Sequence, residues 1–262
     1  MRKRYLFFDI DGTLLAGGYE HSYVPDSARE ALRRLREAGH FTAIATGRAE
    51  FMARPYMRLL GIENMVSDGG YGLTIEGKLL GIRPLEKDKL AALARECDEK
   101  GFPWGIQIDN SDTRLCPDDS FLRVSRDTYL KTRVVPGLRP EAQKEIYKMY
   151  VACEEGAEAA LTTLRELPWC RYHPTYFFVE PLDKAAGIRR VMDHFGADHA
   201  DAIVFGDSGN DLSMFTDEWT KVAMGNAIPA LKARADLVTD DADRDGIYKA
   251  CVELGLIDTD TP

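Results

Sequence analysis

Short apolar runs alternate with segments of helical spacing along the first third of the chain. Tyr5-Leu6-Phe7-Phe8 and Phe41-Thr42-Ala43-Ile44-Ala45 are nearly unbroken, as strands covered on both faces are. Between them, Ala28, Leu32 and Leu35 mark one side of a helix, with Asp26 or Ser27 as its cap and Gly39 as its stop signal. A second helix is expected from about Ala49 to Leu60, ending at Gly61, with Pro55 as a candidate bend. Met65-Val66 makes a short third strand. This βαβαβ order predicts an α/β fold: a parallel sheet with helices on both faces.

Near residue 71 the pattern changes. Tyr71 to Leu80 reads as a hairpin turning at Glu76-Gly77. An amphipathic helix through Leu90, Leu93 and Cys97 follows. Strand-like runs then appear at 104–108, 146–151 and 176–179, with helical candidates near Ser120–Leu130 and Gly156–Leu167. Strands and helices separated in this way predict a small α+β module. From Asp183 the βα alternation resumes, with a helix from Lys184 to Phe195 stopped at Gly196, strands at 202–205 and 221–224, and a last helix near Ile247–Leu254. The expected organisation is a core in two pieces, 1–81 and 183–262, with residues 82–182 inserted between them.

Composition narrows the class. Of 262 residues, 45% are apolar and 29% charged, the balance of an ordinary soluble globule. A net charge of −9 argues against nucleic acid or an anionic membrane surface as the main partner. The basic start followed by an apolar stretch invites a signal-peptide reading, but Asp9 and Asp11 interrupt it too early. No run approaches a membrane span. Cys97, Cys116, Cys153, Cys170 and Cys251 are odd in number and contain no Cys-x-x-Cys pair, so reduced thiols in a cytoplasmic protein are expected. His194 and His199 lack zinc spacing.

The acids at the strand ends carry the chemistry. Asp9 and Asp11 follow the first run in Phe7-Phe8-Asp9-Ile10-Asp11-Gly12-Thr13. Bare carboxylates resist desolvation, and like charges this close push each other's pKa apart. Mg²⁺ bound through oxygen removes both costs. A solvated turn with an Asp at a helix cap is the plainer alternative. A second pair, Asp207 and Asp211, lies in Gly206-Asp207-Ser208-Gly209-Asn210-Asp211, directly after Ala202-Ile203-Val204-Phe205. In an open parallel sheet the carboxyl ends of the strands share one edge, where ligands bind. Thr46-Gly47-Arg48 ends another strand, and Pro181-Leu182-Asp183-Lys184 delivers a lysine at a helix start.

These four segments, in the order in which they occur along the chain, resemble the four motifs of the haloacid dehalogenase-like (HAD) superfamily, and within it the Cof-type sugar-phosphate phosphatases. Val222-Ala223-Met224-Gly225-Asn226-Ala227 is similar to the Cof-type sequence after the fourth motif. The resemblance implies a Rossmann-like core, a mobile cap occupying the inserted stretch, and a Mg²⁺-dependent phosphatase of small phosphorylated metabolites working through an aspartyl-phosphate. Asp9 is then the candidate nucleophile, and Asp9 and Asp207 candidate metal ligands together with the backbone carbonyl of Asp11. The Asp11 side chain is the candidate general acid and base. Thr46 and Gly47 at a helix start would cradle phosphate with a hydroxyl and backbone amides. Lys184 would supply positive charge to Asp9 and the transferring group. Asn210 would donate to phosphate or steady the loop, and Asp211 would orient a metal-bound water or Lys184 from outside the ligand set. Relatives that cleave carbon–halogen bonds lack the second acid, so Asp11 favours phosphoryl chemistry.

Taken singly, each segment has a plainer reading: a strand-end threonine, a solvated lysine, a Gly/Asp/Asn-rich turn. A sugar phosphomutase of similar cap type and a non-catalytic metabolite-binding protein stand as alternatives. Trp104, Gln107, Arg123, Tyr150, Arg171 and Tyr176 are candidates for reading the substrate. Their residue types do not say which of them face inward.

Overall fold

Every apolar run read as a strand forms one in a computed structural model that describes residues 2–18 and 21–259. The first core piece holds β1 (Tyr5–Phe8), α1 (Asp26–Glu37), β2 (Phe41–Ala45), α2 (Glu50–Leu60), β3 (Asn64–Ser67), β4 (Gly72–Ile75) and β5 (Lys78–Ile82). The middle of the chain holds α3 (Lys87–Lys100), β6 (Trp104–Gln107), β7 (Thr113–Cys116), α4 (Ser120–Ser125), β8 (Lys131–Val134), β9 (Lys148–Ala152), β10 (Trp169–His173) and β11 (Tyr176–Val179). The last stretch holds α5 (Lys184–His194), β12 (Ala202–Gly206), β13 (Thr220–Ala223), α6 (Pro229–Lys232), β14 (Leu237–Val238) and α7 (Gly246–Glu253). Two compact units result: Met1–Ala49, Ala53–Gly81 and Asp183–Pro262 in one, Glu50–Met52 and Ile82–Leu182 in the other.

The first unit carries an eight-stranded sheet in the order β14-β13-β12-β1-β2-β3-β4-β5. Its strands are parallel from β14 to β3, and β4 runs antiparallel beside β3. Alternate side chains of one strand enter different cores. Leu6, Phe8, Ile44, Ile203 and Phe205 pack with Leu32 and Leu35 of α1, Met57 of α2 and Cys251 of α7. Tyr5, Phe7, Ala43, Ala45 and Val204 pack with Ile188, Val191 and Met192 of α5. Burial on both faces is why these strands read as continuous apolar runs. Phe8 stacks on Phe205 with ring centroids 4.6 Å apart, a pair worth about 0.5–1.5 kcal/mol beyond its area. The register sets Phe8 beside Phe205 and Ile44. The ends of β1, β12 and β2 therefore meet along one edge.

The second unit is a six-stranded sheet, β10-β11-β9-β6-β7-β8, antiparallel except for β7 with β8. Trp104 lies on one face and donates its indole N–H to Asp98 at 2.8 Å. The pairing register puts Gln107, Tyr150 and Tyr176 on the opposite face, with Arg114, Lys148 and Glu180. There the buried Arg114 lies 2.9 Å from Asp127 and 4.0 Å from the Phe121 ring. Tyr176 donates to Asp127 and Tyr150 to Gln107. Lys148 and Glu180 form a buried ion pair. Arg171 pairs with Glu158 and bonds backbone carbonyls, and Arg123 is an exposed partner of Asp119.

Several boundaries differ from the expectation for local reasons. Neither Asp26 nor Ser27 caps α1 with its side chain; Pro25 precedes it, and Asp26 occupies the first turn, where a negative charge suits the helix dipole. The helix expected near 120–130 ends at Ser125, because Arg126 takes a left-handed φ of 54°. That turn lets Asp127 reach Arg114. Residues 156–167 form two short 3-10 turns, not one helix. Glu96 of α3 accepts the N–H groups of Thr162 and Thr163 at 2.7 and 2.9 Å and pins the chain there. No helix among the described residues is long and apolar enough to cross a membrane.

Gly187 lies inside α5, where alanine is normally better by about 1 kcal/mol. A Cβ at this position would stand 2.3 Å from Val66 and 2.9 Å from the Gly70 carbonyl. Gly187→Ala should therefore destabilise the protein, by about 1–3 kcal/mol as overpacking does; urea unfolding measures it.

Candidate active site

Strand β1 delivers Asp9 to the shared edge almost fully buried, at 2% exposure. Lys184, the first residue of α5, is 1% exposed. Its Nζ donates to Asp9 Oδ1 and to Asp211 Oδ1, each at 2.6 Å. The lysine is aimed by the start of its helix: Asp183 accepts the N–H of Ala186 at 3.0 Å, and the Lys184 N–H donates to Ser213 Oγ at 3.1 Å. Asp211 is fixed as firmly. Its Oδ2 accepts the N–H groups of Asp207 and Ser208 at 2.9 and 3.0 Å.

Asp207 follows β12 and closes the cluster. One oxygen each from Asp9, Asp207 and Asp211 lies within 4.8 Å of the others. Thr13 donates to Asp207 Oδ1 at 2.9 Å. The Asp207 carboxylate sits where a side chain on residue 12 would be, since a Cβ on Gly12 would stand 2.2 Å from Asp207 Oδ2. Gly12 also holds a φ of 81°, which glycine adopts without strain. Asn226 ties the same turn from its other side. Its Nδ2 donates to the Gly12 carbonyl at 2.8 Å, and its Oδ1 accepts the Ala242 N–H at 3.0 Å.

Asp11 is placed differently. Its side chain is 52% exposed and pairs bidentately with Arg48, at 2.7 and 2.8 Å. Thr46 is buried, and its Oγ1 accepts the Arg48 N–H at 3.1 Å. Thr46 and Gly47 precede the helix expected from about Ala49. The helix starts at Glu50, after Ala49 as cap, so residues 46–49 form a turn before it. Asn210 comes alongside this turn: its Nδ2 is 3.5 Å from where a Cβ on Gly47 would stand.

Three carboxylates, Asp9 and Asp211 buried and Asp207 partly so, leave a surplus of negative charge around one ammonium. Burial pushes the Asp9 carboxyl well above the ordinary range and Asp211 adds to the push, against the pull of Lys184. Burial and Asp211 likewise raise Asp207 to about 7, opposed by the Thr13 hydrogen bond and Lys184. Burial pulls Lys184 down, but Asp211 and then Asp9 outweigh it and hold it above an ordinary lysine. A hard divalent cation fits this donor set, which is all oxygen. Asp9 Oδ2 and Asp207 Oδ2 accept no hydrogen bond among the described residues, nor does the Asp11 backbone carbonyl. Both Asp211 oxygens already accept hydrogen bonds, Oδ1 from Lys184 and Oδ2 from two backbone amides.

The roles of Thr13, Ser208 and Asn226 were not singled out by the sequence. Each is a small polar residue common in turns, and only its partner reveals its use. Arg48 ends the Thr46-Gly47-Arg48 segment with no role legible from the sequence; its partner Asp11 lies 37 positions away.

The sequence profile of the haloacid dehalogenase-like hydrolases matches residues 6–251. The YkrA protein of Bacillus subtilis (strain 168) is 33% identical over 266 residues, covering 98% of this chain and all of that one. A solved protein of Geobacillus kaustophilus HTA426 is 34% identical with a TM-score of 0.84, covering 98% of this chain and 100% of its own. The solved HAD subclass IIB sugar phosphatase BT4131 is 28% identical with a TM-score of 0.75, covering 97% and 100%.

Asp207 titrates at about 7 in the folded, metal-free protein, against 3.8 ordinarily. Its stabilising contribution is therefore full in acid and is lost as pH rises through about 7. Chelator-treated protein should lose thermal stability between about pH 6 and about pH 8, and Asp207→Asn should lose less. Mg²⁺ should raise the melting temperature more at the higher pH, because binding needs the carboxylate deprotonated. Thermal melts at the two pH values check both effects.

Proposed function

The chain belongs to the haloacid dehalogenase-like hydrolases and is a phosphatase of that family, and from this premise we propose that it hydrolyses small sugar phosphates with Mg²⁺ through a phosphorylated Asp9. The observation that carries the proposal is the Lys184 ammonium held between Asp9 and Asp211, with Asp207 beside them. A carboxylate nucleophile beside a buried ammonium, next to a second unpaired carboxylate oxygen, is suited to phosphoryl transfer. The sugar-phosphate class is supported by the likeness to BT4131.

Mg²⁺ would be held by Asp9 Oδ2, Asp207 Oδ2 and the Asp11 backbone carbonyl. When bound, it supplies the positive charge that lets one anion approach another. Asp9 attacks phosphorus, and the ester oxygen leaves with a proton from Asp11. Lys184 keeps the nucleophile oriented and gives charge to the transferring group. The Thr46 hydroxyl and Asn210 Nδ2 donate to phosphate oxygens. In the second half, Asp11 takes a proton from water as the water attacks phosphorus, which returns the Asp9 carboxylate and releases inorganic phosphate. Arg48 fixes where the Asp11 carboxylate stands between these steps.

Inserted residues 82–182 act as the cap in this proposal, with the core formed by 1–81 and 183–262. A reducing, cytoplasmic setting is supported by the thiols, since all five cysteines are free.

Asp9→Asn should abolish release of phosphate from p-nitrophenyl phosphate while circular dichroism shows the fold intact. Undiminished hydrolysis by this variant defeats the mechanism. Labelled hexose 1-phosphate tests the product: free phosphate supports hydrolysis, whereas isomerised hexose phosphate without release identifies a mutase. A screen of phosphorylated metabolites, with and without Mg²⁺, tests the substrate class and the metal; turnover of sugar phosphates should require the ion.

A further inference from the structure

Ser208 takes no part in the steps above, yet its hydroxyl makes two hydrogen bonds. Its oxygen accepts the Asp211 N–H, one half of a reciprocal pair in which the Asp211 carboxylate accepts the Ser208 N–H. Its proton goes to Oδ1 of Asn210, at 2.8 Å. A hydroxyl that accepts from the backbone in this way still has one proton to give, and a carbonyl oxygen is the end of an amide that can take it.

The consequence falls on Asn210. An asparagine side chain presents an acceptor at one end and a donor at the other, and nothing in its shape chooses between them. With Oδ1 committed to Ser208, Nδ2 faces the turn at Gly47, 3.5 Å from the Cβ position there. No acceptor takes that Nδ2 among the described residues. The opposite rotation would turn Oδ1 toward the cradle, where it would repel a phosphate oxygen. It would also leave the Ser208 proton without this acceptor.

We infer that Ser208 is a positioning residue: its hydroxyl selects the amide rotation in which Asn210 offers a donor, and not an acceptor, to the phosphoryl oxygens. The inference rests on the reading that Asn210 binds the transferring phosphate. It adds the device that makes a neutral amide selective for an anion. Ser208 never touches the phosphate; it acts through Asn210 alone.

Calorimetric binding of inorganic phosphate to the Mg²⁺-loaded protein tests this, with Mg²⁺ affinity measured separately. Ser208→Ala should weaken phosphate on the order of tenfold, the worth of a hydrogen bond to a charged group. Ser208→Thr, which keeps the hydroxyl, should stay within about threefold of the parent. Asn210→Ala should weaken phosphate at least as much as Ser208→Ala, and the double variant no more than Asn210→Ala alone, since a residue acting through another adds nothing once that other is gone. Mg²⁺ affinity should stay within about twofold throughout. Should the alanine variant not fold, Ser208→Gly replaces it, since glycine is tolerated at a helix start. Parent-like phosphate binding by Ser208→Ala, multiplied losses in the double variant, or a parallel fall in Mg²⁺ affinity each overturn the role of Ser208 while leaving that of Asn210. Parent-like binding by Asn210→Ala overturns the reading of Asn210 itself, and this inference with it.

Discussion

The Lys184 ammonium donates to two carboxylates in a place water hardly reaches, and much of the surrounding geometry keeps it there. Removing one partner of a buried ion pair typically costs about 3–5 kcal/mol, a large share of what holds a domain of this size together. The chain spends several local devices on that arrangement. Asp183 caps the helix that starts with the lysine. Gly187 lets the same helix approach Val66 and Gly70 closely. Asp211 is clamped by two backbone amides before it meets the lysine. The parallel sheet then brings Asp9 from the far end of the sequence to the same point.

Lysine satisfies only part of the charge. Asp9 and Asp207 each have one oxygen engaged and one open, and both carboxyls are raised from their ordinary range by burial. A fold that buries acids this way is strained without a cation and relaxed with one. Asp11 stands apart, at the surface and gripped by Arg48. Two acids two residues apart thus have opposite surroundings, one dry and beside lysine, the other wet and beside arginine.

Much of this was legible from the chain. Continuous apolar runs identified strands covered on both faces, and those of β1 and β12 ended at Asp9 and Asp207, so the meeting of these two acids followed from the shared edge of a parallel sheet, whereas Lys184 arrives as the first residue of a helix. Thr46 fell on that edge too, ahead of the helix that begins at Glu50. The middle of the chain was harder. Strands β7, β8 and β10 carry Arg114, Lys131, Arg133 and Arg171 among their residues, which breaks the apolar signal. The helix expected near 120–130 stops at Ser125, where Arg126 turns left-handed and Asp127 meets Arg114, and residues 156–167 form 3-10 turns beside which Glu96 binds Thr162 and Thr163. Partners of Thr13, Ser208 and Asn226 were invisible for the same reason: a hydrogen bond between remote segments leaves no periodicity.

Gly12 and Asp207 occupy what is, sterically, a single volume, although 195 positions separate them. A side chain at 12 would have to evict the carboxylate, and even beside a shorter residue at 207 it would be held at a φ of 81°, which L side chains rarely adopt. Position 12 is therefore closed twice, once by the acid and once by its own backbone, and loss of the acid alone does not open it.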